Sequence, residues 1–324
     1  ISRLNYQIIY GDLGIGTVIE MRAYRTQMML TSMRESQRHQ CDWNCECRYS
    51  MEYGDYAQHL NIFESKPDDA AWIFISRSRQ VGIFRICAAL TLRWFLSTTD
   101  VNGICGTGQM HIMSTEQAAL YLGLSEYPAP GSRLLDVGAG DGGITAHLAP
   151  LFESVLTTEV SEPMAKRLRA RGYPCIVTLD PSSHFSGDEN HRFDCVSLLN
   201  VLDRCDRPKD LLSSLRNLLN DNGRLLLAVV FPFRPGIEVG SQWTMPSQTL
   251  PESVLSANFH IAANSMAVDV LEPLGFHVEL ITRLPYMSFS VGLSQDYALL
   301  DNCIFVCRRQ SGNNHPDSSA ESQP

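Results

Sequence analysis

The stretch Leu134-Leu135-Asp136-Val137-Gly138-Ala139-Gly140-Asp141-Gly142 sets a short apolar run directly against three glycines, and a helix-forming segment follows it. A strand that breaks at glycine just before a helix opens an α/β sheet whose ligands sit beyond the carboxyl ends of the strands. Gly138 and Gly140 let the backbone turn tightly and pass close to a ligand that a side chain would strike. The pattern continues downstream. Strand-like runs fall at residues 133–137, 154–158, 174–178, 193–199, 224–230, 277–283 and near 303–307. Helical segments at 143–148, 163–171, 209–219 and 261–274 lie among them. Such alternation implies right-handed crossovers and a seven-stranded, mostly parallel sheet of Rossmann-like α/β type.

Upstream, the apolar spacing over residues 69–96 is helical, with Trp72, Ile75, Ile83, Ile86, Leu90 and Trp94 expected on a buried or amphipathic face. Arg77, Arg79, Arg85 and Arg93 interrupt this most apolar window, and four guanidiniums exclude a bilayer span there. Ser114 with Gln117 three residues on forms a capping box for a second helix ending near Leu122. Residues 127–131 (YPAPG) then read as a linker. These features divide the chain into a poorly patterned segment 1–70, a helical extension 71–130, the α/β domain 131–308 and a polar, disordered tail 309–324. The helix-free gap between Val230 and Phe259 is a long loop of the kind that carries function, with residues 231–250 a candidate wall for an acceptor groove.

Composition narrows the function classes. The 324 residues are 44% apolar and 19% charged with a net charge of −9, ordinary for a globular protein and contrary to a basic nucleic-acid surface. A basic peptide or a neutral small molecule suits that charge better. The ten cysteines are too sparse for a secreted disulfide scaffold. His39, Cys41, Cys45 and Cys47 cluster, but no second pair of ligands accompanies them, so no metal is expected. His111, His184, His191 and His277 show no ligand spacing and read as core or surface.

Acids interleave the glycines of the opening loop. Asp136 and Asp141 would repel a pyrophosphate but suit the sulfonium and free amino group of S-adenosylmethionine. Seventeen residues after Gly142 the second strand ends in Glu159, placed to accept both ribose hydroxyls. The cofactor reading therefore rests on Asp136, Gly138, Gly140, Asp141 and Glu159, and the fold expected is the Rossmann-like class I S-adenosylmethionine-dependent methyltransferase. The fourth strand runs into Asn200, Asp203 and Asp206 without the Asn/Asp-Pro-Pro-aromatic motif of many amino-group methyltransferases. Asp206 is expected to cap the following helix; for Asp203, which presents a carboxylate at the strand mouth, capping and a role in the reaction both stay open. Tyr286 closes a later strand as a cover for adenosine or acceptor, or as a core tyrosine.

From about Ala71 to Arg308 the chain resembles the DREV (methyltransferase-like 9) family of protein-histidine methyltransferases. The resemblance is carried by residues 103–108 (GICGTG), 134–142, 158–162 (TEVSE), 199–206 (LNVLDRCD), 283–286 (RLPY) and 296–305. It implies methylation of the pros (Nδ1) nitrogen in His-x-His motifs of target proteins. It also implies that Glu159, Asn200 and Tyr286 hold the cofactor and that Asp203 meets the target histidine. One departure stands out. Where the family has two adjacent tyrosines after an aspartate, the second helping to hold substrate, this chain has Asp296-Tyr297-Ala298, so Tyr297 is the candidate left for that work. The cofactor loop alone equally supports a small-molecule methyltransferase, and Ala298 leaves open a non-catalytic cofactor-binding homologue. Family resemblance implies the endoplasmic reticulum or mitochondrion, while a chain beginning at Ile1 gives no leader from which to judge compartment.

Overall fold

Buried strands set the architecture. In the computed structural model, which describes residues 62–77, 83–185, 192–240, 242–289 and 297–310, β1 (Ile62–Glu64) is a short edge strand. The central pair is β3 (Ala129–Val137) and β6 (Phe193–Leu199), parallel and in register from Leu134↔Cys195 to Val137↔Leu198. Beyond β3 lie β4 (Phe152–Glu159) and β5 (Cys175–Val177); beyond β6 lie β7 (Leu219–Val230), β13 (Asn302–Arg309) and β10 (Phe276–Arg283). The order is β1-β10-β13-β7-β6-β3-β4-β5. Only β13 runs antiparallel to its neighbours, β7 and β10. All seven expected strands are present, and β1 adds an eighth by pairing in parallel with β10. The chain leaves β3 for β4 and β5, then returns to the other side of β3 at β6. That reversal opens a crevice at the strands' carboxyl ends.

Alternating side chains split the core in two. One face buries Leu135, Val196, Leu198, Leu225, Leu227 and Phe305 against α7 (Pro208–Asn217) and α8 (Phe259–Ser265), the latter prolonged by a π-helical turn (Met266–Leu271). The other face buries Leu134, Cys195, Leu226, Ala228 and Ile304. Above it lie α4 (Thr115–Tyr121) and a small antiparallel sheet of β2 (Met110–His111), β11 (Tyr286–Phe289) and β12 (Tyr297–Leu300). Ser114 and Gln117 cap α4 reciprocally, at 3.1 and 3.2 Å, as their spacing predicts.

Several expectations change. The helical stretch at 69–96 resolves into α1 (Asp69–Arg77) and α2 (Ile83–Leu92), with 78–82 outside the described residues. Of its expected apolar face Ile86 is buried, whereas Trp72, Leu90 and Trp94 are 44%, 46% and 61% exposed. Helical spacing marks a face without saying which side of it the sheet will cover. Residues 129–131 of the expected linker already belong to β3, where Ala129 pairs with Phe152. Asp206 does not cap α7. Its carboxylate accepts from the Ser247 N–H (2.7 Å) and hydroxyl (2.8 Å), and Gln248 Oε1 accepts from the Lys209 and Asp210 N–H groups of α7 instead. The long loop after β7 also carries a hairpin, β8 (Ile237–Val239) with β9 (Gln242–Thr244). Among the described residues no helix is long and apolar enough to cross a membrane.

Candidate functional site

Where β3 ends the backbone takes left-handed turns, with φ of +68° at Gly138, +60° at Gly140 and +80° at Gly142. A Cβ on Gly138 would come within 2.5 Å of Val201 Cγ2, so its neighbour on the next loop already requires a glycine here. At Gly140 a Cβ would meet only Met110 Cε, at 4.0 Å, which leaves that side of the loop clear for a bound molecule. The Gly138 and Ala139 N–H groups donate to the Thr158 carbonyl (2.9 and 3.1 Å), tying the turn to the end of β4.

The acids of the loop divide their work. Asp136 is buried, and its two carboxylate oxygens accept hydroxyl hydrogen bonds from Thr145 (2.6 Å) and Ser197 (2.7 Å). It thus braces α5 (Thr145–Leu148) and β6 beneath the turn, with both of its oxygens engaged inside the protein. Burial pushes its pKa up to about 6; the two hydroxyls oppose the shift and Glu159 adds to it. A carboxyl that holds its proton more tightly when folded stabilises the fold fully below its unfolded pKa and loses that stability as pH rises through about 6. The difference is on the order of 3 kcal/mol. Asp136→Asn, uncharged at every pH and able to serve both hydroxyls, is expected to melt higher at pH 7.5 and to flatten the stability slope between pH 4 and 6.5. Thermal melts across that range check this, and a lower melting temperature at pH 7.5 with an unchanged slope would refute it. Asp141 is also engaged. It accepts from the Gly143 N–H (2.9 Å) and from Arg171 (3.0 Å), so it starts the helical turn and ties it to the end of the helix Glu162–Ala170.

Glu159 closes β4 and joins the two loops of the crevice. Its Oε2 accepts from the Gly140 N–H (2.8 Å), and its Oε1 from the Val160 (2.8 Å) and Ser161 (3.0 Å) N–H groups. A carboxylate has about four lone-pair directions, so three such bonds leave room for a hydroxyl. Ser161 caps α6 (Glu162–Ala170) and donates to Asp100 (2.6 Å) on α3 (Thr98–Cys105). The helical extension thereby reaches the crevice through Asp100, as it does through Met110.

Across the mouth, Asn200 ends β6 at φ +57°, a left-handed conformation few side chains adopt. Its N–H donates to the Ala228 carbonyl (3.0 Å), but among the described residues both atoms of its buried carboxamide lack partners. Buried amides are almost always paired, and strain of this kind concentrates at binding sites. Three residues on, half-buried Asp203 sits in a 3-10 turn (Leu202–Arg204). Burial raises its pKa while Arg204 and its own N–H oppose the shift, and no other residue's N–H or O–H is recorded on its carboxylate among the described residues. Its carbonyl accepts from the Gly236 N–H (2.8 Å), so the loop before β8 is fastened to this turn. Tyr286 is buried at the start of β11, donates its hydroxyl to Met110 Sδ, and has Asp203 and Arg204 within electrostatic reach; burial pushes its pKa up to about 12. Tyr297 lies on β12 opposite Phe289, and its side chain is outside the described residues.

The remaining expectations resolve simply. His111 is a core residue stacked on Phe74 and edge-on to His147, with burial holding its pKa down to about 4. His184 and His277 are exposed. His191 and the His39–Cys47 cluster lie outside the described residues, among which no three His, Cys, Asp or Glu side chains are grouped to hold a metal.

S-adenosylmethionine fits this crevice. Gly140 clears a path for it, Glu159 offers a carboxylate for a ribose hydroxyl, and the Asn200 amide has no polar partner among the described residues. Met110 and Val201 were not legible as site residues, because only the return of the helical extension and the packing of the β6 turn bring them to the glycines.

Among curated proteins the chain is 31% identical over 138 residues to the highly reducing polyketide synthase pspA of Penicillium soppii, covering 37% of this chain and 5% of that one. It is 30% identical over 110 residues to the mitochondrial ubiquinone biosynthesis O-methyltransferase of Schizosaccharomyces pombe, covering 31% and 38%. The chain thus spans well under half the length of either relative. Among solved structures, an S-adenosylmethionine-dependent methyltransferase of Anabaena variabilis aligns at TM-score 0.44 and 15% identity, covering 72% of this chain and 98% of that one. The 1,6-didemethyltoxoflavin-N1-methyltransferase of Burkholderia thailandensis, solved with S-adenosylhomocysteine, aligns at TM-score 0.39 and 17% identity, over 61% and 76%. Residues 48–309 match the family described as DREV methyltransferase, a span that takes in every strand from β1 to β13 and the whole crevice. By that match the chain belongs to the DREV methyltransferase family.

Proposed function

We propose that this chain is an S-adenosylmethionine-dependent protein methyltransferase whose acceptor is the pros (Nδ1) nitrogen of histidine in His-x-His segments. The observation that carries the reading is Asp203: a half-buried carboxylate with a raised pKa that accepts no hydrogen bond from another side chain among the described residues, one turn past the Asn200 amide, which is unpartnered among those residues. A neutral imidazole already has a nucleophilic lone pair, so the enzyme has no need to create one. It has to choose which nitrogen carries the lone pair. Asp203 accepting the Nε2–H leaves Nδ1 bare and turned toward the cofactor, and the carboxylate then stabilises the imidazolium as aspartates do beside other working histidines.

S-adenosylmethionine supplies an electrophilic methyl on a sulfonium, and the chain's residues hold the rest in line. Glu159 and Asn200 fix the cofactor, while Tyr286 and Met110 wall the crevice beside the glycine loop. In the proposal Tyr297 holds the acceptor where the family's second tyrosine is replaced by Ala298. The loop 231–250 forms one wall of the groove, fastened by Gly236 to the Asp203 turn and by Glu238 to the first N–H groups of α3 (2.6 and 3.4 Å). Alignment of nitrogen, methyl and sulfur at near-attack distance provides the remaining acceleration.

A small-molecule acceptor is the second reading, favoured by the likeness to an enzyme named for ubiquinone biosynthesis. One experiment separates the two. With methyl-labelled S-adenosylmethionine and a synthetic His-x-His peptide, label is expected on one imidazole, at Nδ1 when the position is resolved by mass spectrometry and NMR. Label at Nε2 or on lysine would overturn the tautomer argument. A protein that binds S-adenosylhomocysteine but leaves the peptide unmodified would overturn the peptide reading.

A further inference from the structure

At the start of β13 stands a second buried amide that is unpaired among the described residues. Asn302 has no solvent exposure, and among the described residues neither Oδ1 nor Nδ2 of its side chain has a hydrogen-bond partner. Its backbone is fully used: the carbonyl accepts from the Leu284 N–H (3.0 Å), and the residue pairs with Val230 of β7. Residues that alternate with it, Ile304 and Val306, pack on the same sheet face as Leu284 and Tyr286. The Asn302 side chain therefore lies on the Tyr286 face of the sheet, at the end where the strands open into the crevice. Leucine or isoleucine would fill such a place without stranding a carboxamide, and buried polar groups without partners are rare because each forfeits its hydration.

Register places this amide relative to the acceptor. Asn200 bonds to Ala228 of β7, and Val230, two residues further along the same face, pairs with Asn302 on the next strand. Two strand spacings separate Asn200 from Asn302, roughly 10 Å. An extended peptide advances roughly 7 Å over two residues. Asp203 follows Asn200 by three residues at the mouth of the same strand, so a peptide whose acceptor histidine meets Asp203 can direct its second histidine along the face that carries Asn302, Val230 and Leu300. A carboxamide both donates and accepts, as a neutral imidazole does.

Resting on the acceptor reading above, we infer that Asn302 is a specificity-determining residue whose carboxamide receives the second imidazole of the His-x-His segment. The test compares a His-x-His peptide with peptides in which either histidine is alanine, using wild type, Asn302→Leu and Asn302→Ser. Asn302→Leu is expected to raise KM for His-x-His about tenfold, to change kcat by no more than a few-fold, and to abolish the preference over the singly substituted peptide that wild type still methylates. Affinity for S-adenosylhomocysteine stays as in wild type, and the melting temperature is unchanged or higher, because an unpaired buried amide has been removed. Should Asn302→Leu fold poorly, Asn302→Ser carries the same KM comparison. A variant that keeps wild-type KM and peptide preference overturns the inference alone. A wild type inert toward every peptide overturns the acceptor reading and this inference with it.

Discussion

Asp203→Ala is expected to slow methyl transfer to a His-x-His peptide by roughly 10³–10⁴-fold, the scale on which aspartates that orient working histidines are felt. S-adenosylhomocysteine affinity should remain within a few-fold of wild type, since the Asp203 carboxylate bonds none of the loop residues 138–142 or Glu159. The substitution is also structurally mild: the hydrogen bond that fastens the 231–250 loop uses the Asp203 carbonyl, which alanine retains. Asp203→Asn sharpens the test by keeping the shape and losing the charge. In wild type the acid limb of the rate profile carries two protonations, that of the acceptor histidine near its usual value of about 6.5 and that of Asp203. Because burial raises the Asp203 pKa, its contribution to activity, present when ionised, is lost as pH falls at a higher pH than for an ordinary aspartate. The residual activity of Asp203→Asn should show the histidine protonation alone. A tenfold or greater loss of S-adenosylhomocysteine affinity, read by calorimetry, would move Asp203 into the cofactor site and remove it from the acceptor.

Legibility followed the range of the interactions. Runs such as Leu134–Val137 and residues 193–199 declare themselves because an apolar strand between helices is patterned locally, and the glycines declare the turn for the same reason. Glu159 could be placed because its distance from the loop is set by one helix and one strand. Asp136 and Asp141 were legible as acids but not as to what they face. That choice is made by Thr145, Ser197, Gly143 and Arg171, which lie as far as 61 residues away in the chain. Asp206 loses its capping role to Gln248, which arrives 42 positions later on the loop that the chain folds back over α7. The exposure of Trp72, Leu90 and Trp94 follows from which side of α1 and α2 meets the domain, and spacing carries no information on that. Asn200 is the converse case: its position at a strand end marked it, yet its left-handed backbone and stranded amide emerge only from the packing around it.

Glu159→Ala is expected to weaken S-adenosylhomocysteine binding by roughly 10–10²-fold, the equivalent of one charge-assisted hydrogen bond to a ribose hydroxyl. A further consequence separates Glu159 from an ordinary ligand contact. Its carboxylate is the single group bonded to the N–H groups of Gly140 on the first loop and of Val160 and Ser161 on the second. Alanine leaves those three donors without their acceptor, so the two loops lose their common anchor and the melting temperature of the free protein should fall as well. Glu159→Gln keeps one acceptor oxygen and the reach of the side chain, so it is expected to recover most of the stability and only part of the affinity. The order wild type, glutamine, alanine should therefore hold for both quantities, with the glutamine variant nearer wild type in melting temperature and nearer alanine in affinity. Calorimetry with S-adenosylhomocysteine beside thermal melts of the free protein reads the two separately. An alanine variant that melts lower yet binds S-adenosylhomocysteine as wild type does would make Glu159 a brace for the loops alone, and the ribose would have to be held elsewhere.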